Sequence, residues 1–311
     1  MGTLYAVFID PFAQMWDNPE FLLEVVIGGL LSGVLYSLVA LGYVLIYKAS
    51  GVFNFAQGTM VLFAALTFSG CIDLHVPIWL SFLIVIGVMV ALAFGVERIV
   101  LRPLVNQDQI ILFMATIGIT YFLRGLGQIV WGGNVRTLDI GLPKAPMIIG
   151  GILVNAFDLV SAVAAGSLVA ILAVFFQKTA VGRALRAVAD DHQAALAVGI
   201  PLKTIWVIVW TTAGIVALVA GILWGTNLGV QFSIELVALK ALPVLILGGF
   251  TSVPGAIVGG LIVGAGEKVA EVFWGPVLGG AIEDWFAYML ALAFLLIRPQ
   301  GLFGERIIER V

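Results

Sequence analysis

The chain has 311 residues, of which 62% are hydrophobic and only 11% charged, with a formal net charge of -3. Roughly 25% charge is usual for a water-soluble globule, so this composition excludes a soluble fold and makes the bilayer the solvent. No basic run or basic-aromatic interleaving is present to follow a phosphate backbone, which excludes a nucleic-acid partner.

The single cysteine, Cys71, excludes an intrachain disulfide and any multi-cysteine metal site. Residues 1–20 carry Asp10, Asp17 and Glu20 but no Lys or Arg, unlike the charged start of a cleaved signal peptide. Insertion is therefore expected to begin at the first hydrophobic span.

A spanning helix needs about 20 mainly apolar residues. Read against Gly and Pro breakers, hydropathy predicts helices over 21–47, 54–71, 76–97, 110–131, 155–176, 204–225, 235–250, 255–274 and 284–298. The expected fold is all-α, a polytopic transmembrane bundle forming one membrane domain over 1–311. Segments 54–71, 235–250 and 255–274 are short or interrupted, which leaves a re-entrant course open and the count at eight or nine spans.

Lys and Arg accumulate on the cytoplasmic side. With the N-terminus outside, the inner segments collect Lys48, Arg98, Arg102, Lys178, Arg183, Arg186, Lys203, Arg298, Arg306 and Arg310, and the outer loops only Arg136 and Lys144. This bias predicts an outside N-terminus and an inside C-terminus.

Residues 177–203, QKTAVGRALRAVADDHQAALAVGIPLK, are too charged to span and lie inside by the same rule. They predict one cytoplasmic amphipathic helix from Gly182 to about Val198. Ala184, Leu185, Ala187, Val188, Leu196 and Val198 form its apolar side, and Arg183, Arg186, Asp190 and Asp191 face water or a partner. Arg186 and Asp190 stand at the i,i+4 spacing that lets side chains meet, and Gly199 with Pro201 stops the helix. The alternative is a solvated linker whose charges only enforce topology.

The stretch GRALRAVADD followed by ALAVGI resembles the coupling loop of the branched-chain amino acid ABC permease family. Three further blocks agree in order: GLLSGVLYSLVALGYVLIYKASGVFNFAQG at 29–58, ERIVLRPL at 97–104, and KALPVLILGGFTSVPGAIVGGLIVG at 240–264 with RPQGLFG at 298–304. The resemblance implies a permease subunit in a bacterial inner membrane. It implies as partners a second homologous permease, two ATPase subunits, a periplasmic substrate-binding protein and membrane lipid. The absence of a GxxxxGK[ST] loop agrees with ATP-Mg bound on the partner ATPases and with no cofactor or metal on this chain. Gly182, Arg183, Arg186, Asp190, Asp191 and Gly199 would then form the contact that transmits ATPase closure.

Polar groups at membrane depth usually face a bundle interior or a water-filled path. Asn54, Gln57 and Gly58 head a short helix whose exposed N–H groups would suit a carboxylate. The alternative is that the two amides cap the helix and tie it to neighbours. FTSVPGAIVGG at 250–260 has a similar layout and makes Thr251, Ser252 and Gly255 a second candidate lining, against simple close packing of small residues. Lys268 and Glu271 are expected to neutralise one another, with Glu267 and Glu271 near a wetter helix end, and Glu235 and Lys240 as interfacial anchors. Arg124 interrupts an apolar span without an evident role.

The outer stretch 132–151 offers Arg136, Asp139 and Lys144 to a binding protein, or is a plain connection. A secondary transporter or channel would share the hydropathy but needs no coupling helix. An intramembrane enzyme finds no HExxH and no nucleophile-base pair near His75 or His192. The family also carries urea, short amides and small acids, and Gln57 and the acidic N-terminal extension depart from its common pattern, so the substrate stays open at this level.

Overall fold

The nine apolar stretches all fold as helices in the computed structural model, which describes residue 5 and residues 7–104 and 107–304. Each begins and ends close to its expected breaker. After a short α1 (Asp10–Asp17) come α2 (Pro19–Ser50), α3 (Gln57–Asp73), α4 (Ile78–Gly95) and α5 (Gln109–Trp131). Then follow α6 (Ala156–Lys178), α7 (Ala180–Asp190), α8 (His192–Ala197), α9 (Leu202–Leu228), α10 (Val237–Gly248), α11 (Val253–Leu278) and α12 (Glu283–Ile297). A π-helical turn, Val96–Leu101, prolongs α4, and a 3-10 turn, Phe232–Leu236, precedes α10. Arg306 and Arg310, which entered the charge count, lie outside the described residues.

Among the described residues five helical stretches are long and apolar enough to cross a bilayer: Pro19–Ser50, Ile78–Leu104, Gln109–Trp131, Ala156–Lys178 and Leu202–Leu228. A sixth arises if Phe232–Gly248 and Val253–Leu278, bent by 114° at their junction, are taken as one span. At about 1.5 Å per residue, the 17 residues of α3 and the 15 of α12 reach less far than a hydrocarbon core of about 30 Å.

The stretch 132–151, expected as a loop, leads into a hairpin and is more ordered than a plain connection. Pro146–Ile149 (β1) and Ile152–Asn155 (β2) pair antiparallel, with Ile149 opposite Ile152 around Gly150 and Gly151. Both glycines have positive φ, as a two-residue hairpin turn demands. Glu24 accepts the backbone N–H of Leu153 at 2.7 Å and ties the hairpin to α2.

The described residues cluster into two compact units. One contains the chain up to Ser37, Gly141–Ser167 and the residues from Lys240 on; the other contains Leu38–Ile140 and Leu168–Leu239. In the first, glycines let helices touch backbone to backbone. A Cβ on Gly29 would sit 2.6 Å from the carbonyl oxygen of Gly264, and one on Gly33 2.5 Å from that of Gly260. Small residues admit this approach where lipid tails provide no hydrophobic drive between helices. In the second unit α3 is the centre, packed on α4, α5 and α9 and buried from Gln57 to Cys71. Such all-round burial fits its lack of a polar face.

Candidate functional site

The first break in the apolar pattern lies between α2 and α3. Gly51, at φ +69, turns the chain out of α2. Asn54 Oδ1 then accepts the N–H of Ala56 at 3.0 Å and sets the first turn of α3. The amide of Asn54 donates to Gln57 Oε1 at 3.5 Å, and that of Gln57 to the Ala213 carbonyl of α9 at 3.3 Å. Both side chains are fully buried.

Thr116 of α5 fastens the same loop, its Oγ accepting the N–H of Phe55 at 3.2 Å and donating to the carbonyl of Phe113 at 2.8 Å. The rings of Tyr43, Phe53, Phe55 and Phe113 follow one another at centroid separations of 4.7, 5.4 and 5.3 Å. Gly58 lies against Glu235, where a Cβ would overlap the backbone carbonyl. Asn54, Gln57 and Gly58 thus lie together at this corner, and Thr116, which the sequence did not single out, joins them through the backbone of Phe55. The result is an uncharged corner in which two buried amides lie beside a run of aromatic rings.

The second break follows α10 and belongs to the other unit. Gly249 turns at φ +101, and Ser252 Oγ caps α11 by accepting the N–H of Gly255 at 3.0 Å. Gly255 rests on Gly248 so closely that a Cβ on either would overlap the other's backbone. The segment after α12 closes over this corner, Leu302 N–H donating to the Leu247 carbonyl at 2.7 Å and Phe303 N–H to that of Gly248 at 3.2 Å. Ser252 and Gly255 are therefore brought together through a cap, with Thr251 in the preceding turn.

The charged residues within the helices pair differently from their expected pattern. Lys268 binds Glu283 at 2.6 Å, not Glu271, because Glu283 opens the next helix directly opposite. Glu271 instead accepts the N–H groups of Ala281, Ile282 and Glu283 at 2.9, 2.6 and 3.1 Å and caps α12. Glu267 is not at a wet end: it is 1% exposed and accepts the hydroxyl of Tyr36. Lys240 is no free interfacial anchor, since it contacts Glu283 at 3.3 Å and Asp284 at 3.1 Å. In the other unit Glu235 pairs with Arg124 at 3.1 Å, which gives that arginine its role. Tyr36, Glu283 and Asp284 were missed as partners, although two acids in the first turn of α12 were a readable signal.

The 177–203 segment is helical but broken in two. Thr179 caps α7 by accepting the N–H of Gly182 at 3.2 Å, and Leu185 and Val188 bury its apolar side. At Asp191 the backbone is extended, and its carboxylate caps α8 through the N–H groups of Gln193 and Ala194 at 2.7 and 3.0 Å. The break turns Ala195 inward and leaves Leu196 and Val198 exposed, against the expectation that they share one buried face.

Arg186 does not meet Asp190. Its guanidinium donates to the carbonyls of Phe176 and Gln177 at 2.8 and 3.4 Å, closing the end of α6. Arg183, Asp190 and Asp191 remain exposed, and Gly199, at φ +84, ends α8 as expected. Arg136 binds Asp73 and the Trp131 carbonyl, so its charge is engaged within the chain.

Comparison with known proteins shows the family to which the chain belongs. High-affinity branched-chain amino acid transport system permease protein BraD of Pseudomonas aeruginosa is 29% identical over 307 residues, covering 93% of this chain and 98% of its own length. The LivH permease protein of Salmonella typhimurium is 27% identical over 310 residues, covering 94% and 98%. A probable LivH of Methanocaldococcus jannaschii is 28% identical over 295 residues, covering 89% and 91%. The structure of PsaBC from Streptococcus pneumoniae in complex with Fab matches in fold, with a TM-score of 0.50 at 15% identity, over 92% of this chain and 94% of that one. The family model described as branched-chain amino acid transport system / permease component matches residues 25–298. The chain therefore belongs to the branched-chain amino acid transport system permease family.

Proposed function

We propose that this multi-pass membrane protein is the permease subunit of an ABC importer that admits leucine, isoleucine, valine or a related small amino acid. The match over residues 25–298 carries the reading, and the names of the relatives supply the substrate class. A second homologous permease, two ATPase subunits that bind ATP-Mg, and a periplasmic binding protein complete the importer in the bacterial inner membrane. Asn54, Gln57 and Gly58 line the path, as do Thr251, Ser252 and Gly255. Nine crossings, with α3 and α12 counted as short ones, would put the N-terminus outside and the C-terminus inside, whereas a count of eight would leave both termini on one side.

The exposed charges of α7 and α8 support a coupling role, with Arg183, Asp190 and Asp191 facing the ATPase. Arg186 acts from behind by holding α7 on α6, and Gly182 and Gly199 shape the two helices.

Reconstitution tests the whole reading. Proteoliposomes holding the complex and internal ATP should take up leucine when its binding protein is added outside. A binding protein selective for urea would overturn the amino-acid assignment and leave the permease role standing. Charge reversal of Arg183 and Asp191 together should abolish the stimulation of ATPase activity by loaded binding protein; unchanged stimulation would remove the coupling assignment. For orientation, Cys71 is buried, so Lys144→Cys and Arg183→Cys can be labelled singly in whole spheroplasts with an impermeant maleimide. Labelling at 144 and protection at 183 are expected.

A further inference from the structure

Between α4 with its π-helical extension and α5 the second unit carries an open groove of about 580 Å³. Its lining, which includes Gly95, Val96, Ile99, Ala115, Gly118 and Phe122, contains no polar or charged residue. Gly95 and Gly118 form its floor with no atom of another residue near the position of a Cβ, and Ile99 and Phe122 stand at 75% and 63% exposure. On the α4 side the lining runs from Ala91 to Val100. At about 1.5 Å per residue that is about 14 Å, close to one leaflet of a hydrocarbon core about 30 Å thick.

One end of the groove is charged. The π turn that contributes Val96 and Ile99 also carries Glu97, Arg98 and, just beyond it, Arg102. Glu97 is buried and binds Arg102 in two contacts, at 2.8 and 3.1 Å. Arg98 is exposed, one residue from the lining, with no side-chain partner among the described residues. Asp108, the acid that precedes α5, stands seven residues before Ala115, about 10 Å along the axis. The exposed cation thus lies between two lining residues in sequence, and Asp108 stands further off along α5.

We propose that this groove binds an anionic phospholipid, with an acyl chain along Gly95 and Gly118 and the phosphate against Arg98. An apolar channel one leaflet deep, with an exposed Arg98 on the turn that carries Val96 and Ile99 of its lining, matches both halves of such a molecule. The assignment does not depend on which solute the protein carries.

The test uses the full chain purified from nanodiscs that contain equal phosphatidylglycerol and phosphatidylcholine, with retained lipid counted by native mass spectrometry. Phosphatidylglycerol should be retained in preference, and Arg98→Gln should lower the ratio of the two lipids about fivefold. Gly118→Leu fills the groove without displacing a neighbour and should remove the retained lipid of either kind. Equal retention of both lipids by the unaltered chain would overturn the proposal. So would a Gly118→Leu protein that keeps its lipid but loses association with a second permease copy, since the groove would then be a subunit contact.

Discussion

The two breaks in the apolar pattern, at 51–56 and at 249–252, read alike in sequence, and the structure builds them from different materials. The first is held by side chains: Asn54, Gln57 and Thr116 hydrogen-bond around a turn covered by aromatic rings. The second is held by backbone, with Gly248 against Gly255, and Gly249 under the segment that contains Gly301 and Gly304. A corner made of side chains can exchange its amide partners as helices move. A corner made of touching backbones has no such latitude, so any lining it offers a solute is fixed in shape.

Several substitutions would break or sharpen this contrast. The largest effect is expected for Gly255→Val, whose Cβ and methyl groups meet the Gly248 backbone. It should cost about 3 kcal/mol or more, read as loss of the folded, detergent-solubilised chain in thermal unfolding. Gln57→Leu should behave in the opposite way. It removes two long hydrogen bonds, so unfolding should shift by about 1 kcal/mol or less, while leucine uptake in proteoliposomes falls about tenfold. Equal losses of stability and transport would reduce Gln57 to a tie between α3 and α9. Asn54→Ala should cost about 1 kcal/mol by removing the acceptor for Ala56. Ser252→Ala removes the cap on Gly255 and should cost about 1 kcal/mol or less; leucine uptake should fall if Ser252 lines the path, and preserved uptake would remove that corner from it.

How far the sequence could be read follows from what each feature rests on. Long apolar runs ended by Gly, Pro and charge are local properties, and all nine helices were legible from them within a few residues. The break at Asp191 was not, because the apolar spacing continues through it and only the Asx-type cap declares a new start. The hairpin over Pro146–Asn155 was readable in principle from two apolar runs around Gly150-Gly151. Partnerships such as Tyr36 with Glu267 and Arg124 with Glu235 join residues far apart in the chain. Pattern alone shows that such charges need partners, not which they choose.

The Glu271 cap bears on how the chain enters the membrane in the first place. A lone Asp, Lys or Arg at the centre of an inserting helix costs about 2.5 to 3.5 kcal/mol, and α12 has only 15 residues with which to offset its own acids. Lys268 neutralises Glu283, and Glu271 saturates the backbone at the start of α12, both across a short turn. These contacts are available as soon as the second helix has been synthesised. Under the proposed course, in which α12 is a short crossing, they favour delivery of α11 and α12 into the bilayer as one helical hairpin, so that Lys268→Leu or Glu271→Leu would be felt first during biogenesis, as a last helix left outside the membrane.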